Sequence, residues 1–203
     1  MNVINRMKNI LLIIGCFCIA TTGFSQAQWE VNTVRNINPR YPNSEVWKTF
    51  SSSAKPLAVA IPLGMLAVSL VKENKELRHQ AYEIIAGLAF TTVATEGLKI
   101  IVNRPRPYET YNDIYPDQLD PGHSFPSGHV SVAFSTATSL ALITKKWYVT
   151  VPAFVWASGV GYSRMYLGQH YPSDVIAGAI TGAAGAYLAH WLNKKFFYGK
   201  RKA

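Results

Sequence analysis

The sequence predicts an all-α protein: a bundle of about five to six helices, most of them transmembrane. Three observations carry this. Five apolar segments recur along the 203 residues, each too long for a strand. The last of them is a run of alanine and glycine of the kind that lets helices approach closely. The links on one side of these segments are short and basic. Composition agrees, with 49% apolar and 15% charged residues against about 25% charged in an ordinary soluble domain. That balance excludes a disordered chain. Mean hydropathy is only +0.07, so membrane residence has to come from segments and not from the average. The net charge of +9 points to anionic partners: nucleic acid, acidic lipid or phosphate.

The elements follow in order. Arg6 and Lys8 precede an uncharged run from Ile10 to Phe24, and Ser25-Gln26-Ala27 supplies small residues after it. Residues 1–27 therefore read as a secretory signal, or alternatively as a first membrane helix, with Cys16 also resembling part of a lipoprotein box. Cys16 and Cys18 are the two cysteines, which excludes a disulfide framework and a cysteine-based metal site. Residues 28–55 are polar and aromatic and are expected outside the cytoplasm. The helical domain is expected over 56–196, with helices at Pro56–Val71, Ala81–Val102, Val130–Thr144, Trp147–Tyr162 and Val175–Leu192. A basic cytoplasmic tail, 197–203, closes the chain. If every segment spans, Lys72, Lys75, Arg78, Lys145, Lys146, Lys194 and Lys195 fall on one side, as cytoplasmic loops require. Trp47, Trp147, Tyr148, Trp191, Phe196 and Phe197 at segment ends suit a headgroup belt. Glu83 and Glu96, inside the second segment, are a cost to a spanning helix and keep a soluble bundle in play.

Three motifs fall at segment ends on the opposite side. They are Lys99-Ile-Ile-Val-Asn-Arg-Pro-Arg106-Pro107, Pro126-Ser127-Gly128-His129, and Ser163-Arg164 followed by His170 and Asp174. Each alone has a plainer explanation: a helix start, a basic loop edge, a local hydrogen bond. Together they describe a phosphate site. Lys99, Arg106 and Arg164 supply three positive charges, and the arginines can grip phosphate oxygens in a fork. Ser127-Gly128 opens a helix whose amides and dipole face an anion, and Gly128 lets the backbone come close. His129 and His170 offer an acid and a nucleophile. Asp174, four residues after His170, can hold Nδ1–H and leave Nε2 free to attack. Pro172 suits the first turn of the last helix.

These three segments carry the signature of the type 2 phosphatidic acid phosphatase superfamily, which the chain resembles over about residues 80–192, with every signature position present. The resemblance implies an all-helical fold and hydrolysis of a phosphomonoester or pyrophosphate without metal or cofactor. It implies that His170 attacks phosphorus and forms a phosphohistidine, oriented by Asp174, while His129 protonates the leaving oxygen and then activates water. Lys99, Arg106, Arg164, Ser127 and the Gly128 amide would stabilise the transferring group, with Ser163 in support.

Other residues read as secondary. Arg104 adds to the anion field outside the signature, and His123 reads as a loop histidine. The acidic run Glu109, Asp113, Asp117 and Asp120 is too irregular for a metal site and reads as a solvated lid; His190 reads as interfacial. The expected partners are a phosphorylated lipid and the membrane, and no nucleic acid. The lipids considered are undecaprenyl diphosphate, phosphatidylglycerol phosphate, phosphatidic acid and lipid A phosphate. The expected site faces the periplasm from the inner membrane. The alternatives are a soluble periplasmic acid phosphatase of the same superfamily, more distantly a vanadium haloperoxidase, and a non-catalytic membrane scaffold.

Overall fold

A computed structural model describes residues 28–198, and all regular structure among the described residues is helical. In chain order the helices are α1 (Gln28–Ile37), α2 (Glu45–Val71), α3 (Lys75–Val102), the four-residue α4 (Pro107–Thr110), α5 (Gly128–Thr144), α6 (Trp147–Tyr166) and α7 (Pro172–Asn193). A π-helical turn, Lys194–Tyr198, continues α7. The signal or first-helix reading of residues 1–27 lies outside the described residues.

All five predicted helices are present; four begin earlier than their apolar runs, two of them by more than a turn. α3 starts at Lys75 because Asn74 caps it, its Oδ1 accepting from Leu77 N at 3.0 Å. α2 starts at Glu45 and runs through both Pro56 and Pro62, although proline in a helix interior removes a hydrogen bond. Tertiary contacts hold this first stretch. Trp47 packs on Tyr162 with ring centroids 4.4 Å apart, Ser53 Oγ accepts from Trp156 Nε1 at 3.0 Å, and Ser51 Oγ accepts from Arg164.

α7 packs against α5 and α3 at the centre of the bundle. Its small residues make this possible. A β-carbon at Gly182 would lie 2.2 Å from the Ser131 carbonyl oxygen, and one at Gly185 would lie 2.2 Å from Thr91 Oγ1. The interior is unusually polar, with Thr91, Thr95, Ser131, Ser135, Thr136 and Ser139 all buried. Large apolar side chains such as Leu63, Leu70, Val93, Ile101, Val155 and Ile180 face outward. A water-soluble bundle has the reverse arrangement. α2, α3 and α7 are long and apolar enough to cross a membrane, while α5, at 17 residues, is shorter. These faces suit lipid, and the chain is a membrane protein.

The motif ends of α3, α5, α6 and α7 meet at one end of the bundle, so the basic links Lys72–Lys75 and Lys145–Lys146 and the end of α7 lie at the other. There the cost of Glu83 is met: His190 Nδ1 lies 2.6 Å from its Oε1, and Asn193 Nδ2 donates to its Oε2. His190 is thus not a free interfacial side chain but the half-buried partner of a buried carboxylate. Trp147, Tyr148, Trp191 and Phe196 are exposed at this end as a belt requires, whereas Trp47 is packed inward against Tyr162.

Candidate active site

A cavity of about 620 Å³ opens at the motif end, lined by Lys99, Arg106, Gly128, His129 and His170 among others. The local folding follows from the sequence. Asn103 ends α3 in the left-handed conformation, φ 49°, and turns the chain so that Arg104 and Arg106 point back over the bundle. Ser127 precedes α5 as its N-cap and Gly128 is its first residue, so the helix begins at the cavity wall with its first amides unpaired within the helix. Pro172 occupies the first turn of α7, and Asp174 Oδ2 accepts from Tyr171 N at 2.9 Å, which caps that helix. The two helix starts are joined, Ser127 N donating to the Asp174 carbonyl at 3.0 Å.

His170 is buried, and its two nitrogens face different surroundings. Nε2 lies 3.5 Å from Arg106 Nη1. Nδ1 lies 3.4 Å from Ser124 Oγ and 3.6 Å from Asp174 Oδ2, while Ser124 Oγ donates to Asp174 Oδ2 at 2.5 Å. Asp174 therefore reaches the imidazole both directly, at long range, and through the Ser124 hydroxyl. With acceptors on the Nδ1 side, the proton belongs there and the Nε2 lone pair is left towards the cavity. Burial pushes the His170 imidazole down to about 3, despite the opposing pull of Asp174, and the nearby Arg164 charge adds to the lowering. The ring is neutral at neutral pH, so the Nε2 lone pair is available.

The cations are set around it. Arg106 is buried, its Nε donating to the Gly122 carbonyl at 3.1 Å and its Nη1 to Gln169 Oε1 at 3.1 Å. Lys99 Nζ donates to the His123 carbonyl at 2.5 Å. Arg164 is fully enclosed, with Nη1 on Ser51 Oγ at 2.8 Å and Nη2 on Asp120 Oδ2 at 2.7 Å, and its Nε has no partner. Burial alone would raise the Asp120 carboxyl, but the Arg164 guanidinium outweighs it and holds it below the usual range. Ser127 Oγ is also buried without a partner. Ser163 Oγ donates to the Val160 carbonyl at 2.7 Å within its own helix. So Lys99, Arg106, Gly128, His129 and His170 line the cavity, Ser127, Arg164 and Asp174 are buried beside it, and Ser163 is turned into α6.

The acidic run departs from a solvated lid. Asp120 pairs with Arg164, Asp113 with Arg35 at 2.7 Å, Glu109 Oε2 accepts from Arg106 N at 2.7 Å, and Asp117 accepts from Gln169 Nε2. These acids tie the loop down. Among the described residues no group of three or more histidines, cysteines, aspartates or glutamates is placed to hold a metal ion. Sequence reasoning missed Glu30, Ser124 and Gln169. Ser124 stands two residues before the second motif and Gln169 stands inside the third, next to His170, which is the available signal; Glu30 stands 69 residues before Lys99.

Known proteins resemble this chain. A lipid A 4'-phosphatase from Bacteroides thetaiotaomicron is 27% identical over 163 residues, covering 75% of this chain and 72% of its own length. An undecaprenyl-diphosphatase from Sulfolobus acidocaldarius is 31% identical over 116 residues, covering 57% of this chain and 56% of its own length. The fold matches the crystal structure of a transmembrane PAP2-type phosphatidylglycerolphosphate phosphatase from Bacillus subtilis, with a TM-score of 0.68 over 92% of this chain and 95% of that one, at 24% identity. Residues 80–198, more than half of the chain, match the family model of the PAP2 superfamily. The chain belongs to the PAP2 superfamily.

Proposed function

We propose that this PAP2-superfamily membrane phosphatase removes phosphate from a phosphomonoester or diphosphate carried on a lipid, through a phosphohistidine at His170. One observation carries the reading: His170 presents Nε2 beside the Arg106 guanidinium in a cavity shared with Lys99, Gly128 and His129. The phosphoryl oxygens sit among Lys99, Arg106, Arg164 and the Gly128 amide. Nε2 attacks phosphorus as the P–O bond to the lipid breaks. His129, protonated once the anion is beside it, gives its proton to the leaving oxygen. It then takes a proton from water, which attacks phosphorus, breaks the N–P bond and releases inorganic phosphate. Fixed cations and oriented amides suffice because phosphoryl transfer is mainly positioning and electrostatics. No metal is required by this sequence of steps.

Two observations support a lipid over a soluble ester. The cavity wall also includes the apolar Ala58, Val59, Leu88, Ile100 and Val132. Val59 and Ile100 are also exposed on the outer faces of α2 and α3, so an acyl or prenyl chain can leave the site sideways. The curated relatives bear the names of phosphatases of lipid A and undecaprenyl diphosphate. Those two, with phosphatidylglycerol phosphate and phosphatidic acid, are the candidate substrates. The basic opposite end favours placement in the inner membrane with the site towards the periplasm.

Phosphate release from the four lipids and from one soluble ester, by purified protein in detergent with EDTA, tests this. The expected result is release from at least one lipid, inhibition by vanadate, and loss in His170→Ala. Equal hydrolysis of the soluble ester with no lipid preference removes the lipid assignment.

A further inference from the structure

We infer that Glu30 and Arg104 are a positioning pair for the reaction: Arg104 holds the far oxygen of Asp174 so that the near one stays turned to His170, and Glu30 holds Arg104. The inference rests on His170 being the attacking group.

Arg104 is the hub. Its Nη1 donates to Asp174 Oδ1 at 2.8 Å and to Ser173 Oγ at 2.7 Å, and its Nη2 donates to Glu30 Oε2 at 2.8 Å. Its guanidinium lies over the Tyr171 ring, 4.0 Å from the centroid. The other Glu30 oxygen accepts from Ser173 N at 3.0 Å. Apart from the Arg104–Glu30 bond itself, each of these contacts falls within three residues of His170 or on Asp174, yet neither Arg104 nor Glu30 lines the cavity.

Burial makes the arrangement informative. The side chains of Glu30 and Asp174 are 7% and 0% exposed, and that of Arg104 15%. Two carboxylates are thus held around one guanidinium, out of water, which is costly unless all are well paired. Docking α1 does not need this, since Val31 and Val34 already pack on Ile114 and Tyr171. What the pair adds is a hold on the second oxygen of Asp174, so that both are fixed. Oδ1 is held by Arg104, and Oδ2 by Ser124 Oγ and Tyr171 N. With Oδ1 released, the carboxylate can turn about its Cβ–Cγ bond, and the acceptors facing Nδ1 lose their direction.

The test uses the full chain, purified in detergent and labelled with 15N at histidine, with His170→Asn identifying the His170 signals. Wild type is expected to show Nδ1 protonated and Nε2 bare. Arg104→Gln is expected to move these shifts towards a tautomer mixture and to lower kcat by about 10–100-fold, the range for removed outer-shell partners, with KM unchanged. Glu30→Gln should do the same more weakly. Arg104→Lys, which keeps one charged donor, should recover part of both, and it serves if Arg104→Gln does not fold. Wild-type 15N shifts in all folded variants overturn the inference, as does a rise in KM at constant kcat, which would put Arg104 on the substrate. If wild type releases no phosphate, the proposed function fails, and the 15N shifts still decide whether the pair sets the His170 tautomer.

Discussion

Adding one methyl group to Gly182 is expected to damage the site from two helical turns away. A β-carbon there would sit 2.2 Å from the Ser131 carbonyl oxygen, 2.8 Å from Ser135 N and 3.1 Å from the Ser131 carbonyl carbon. All three are backbone atoms of α5, so no side chain can swing aside; α5 and α7 have to part by about 1 Å to restore ordinary contact. Overpacking of this kind costs about 1–3 kcal/mol. α5 carries His129 two residues before Ser131, and α7 carries Asp174 two turns before Gly182, so the same displacement spoils the catalytic geometry. A 1 Å misplacement can cost about 100-fold in rate. Gly64 and Gly97 are the controls, because nothing lies within 4 Å of a β-carbon at either. Alanine there should be neutral or slightly stabilising, by up to about 1 kcal/mol from helix propensity. The assay is thermal unfolding in detergent with phosphate release on the same samples. A Gly182→Ala protein as stable and active as Gly64→Ala would refute the close α5–α7 packing.

Two further outcomes follow from the charges. Since burial lowers the His170 imidazole to about 3 from an ordinary 6.5, the unfolded chain takes up a proton there before the folded one does. This residue's contribution is therefore complete above about pH 6.5 and is lost as pH falls towards 3, at up to about 1.4 kcal/mol per pH unit. His170→Asn should show a shallower fall in thermal midpoint across that window, and an identical fall would contradict a neutral buried imidazole. Asp120 occupies one face of the buried Arg164 guanidinium at 2.7 Å. Asp120→Asn should leave more positive charge for an anion and tighten vanadate inhibition several-fold; weaker inhibition in folded protein would mean that Asp120 instead orients Arg164.

The helices and the three motifs were legible because their signals are local. An apolar run fixes a helix by its length, and Pro126-Ser127-Gly128-His129 announces a helix start at the place where α5 begins. The soluble alternative lost ground for a reason hydropathy could not show: Glu83 finds its partner His190 more than a hundred residues away. The start of α2 was hidden by Pro56, which reads as a helix start but lies inside a helix held by Trp47 and Ser51 contacts to α6. In the sequence Arg104 reads only as a contribution to the anion field, because its partners Glu30 and Asp174 are brought to it by the fold. The pairing of Asp120 with Arg164 is hidden in the sequence for the same reason. Charged residues in a loop declare their type in the sequence and their counter-charge only in the structure.

The proposed function turns on covalent phosphorylation of His170. The direct measurement is rapid acid-free quenching of the protein with a 32P-labelled lipid substrate, followed by peptide mapping. The expected result is a phosphoenzyme that is labile to acid and stable to base, located on His170. It should be absent from His170→Ala, and it should persist longer in His129→Ala, which lacks the proposed base. Label on another residue, or turnover with no phosphoenzyme in either the wild type or His129→Ala, would contradict the account.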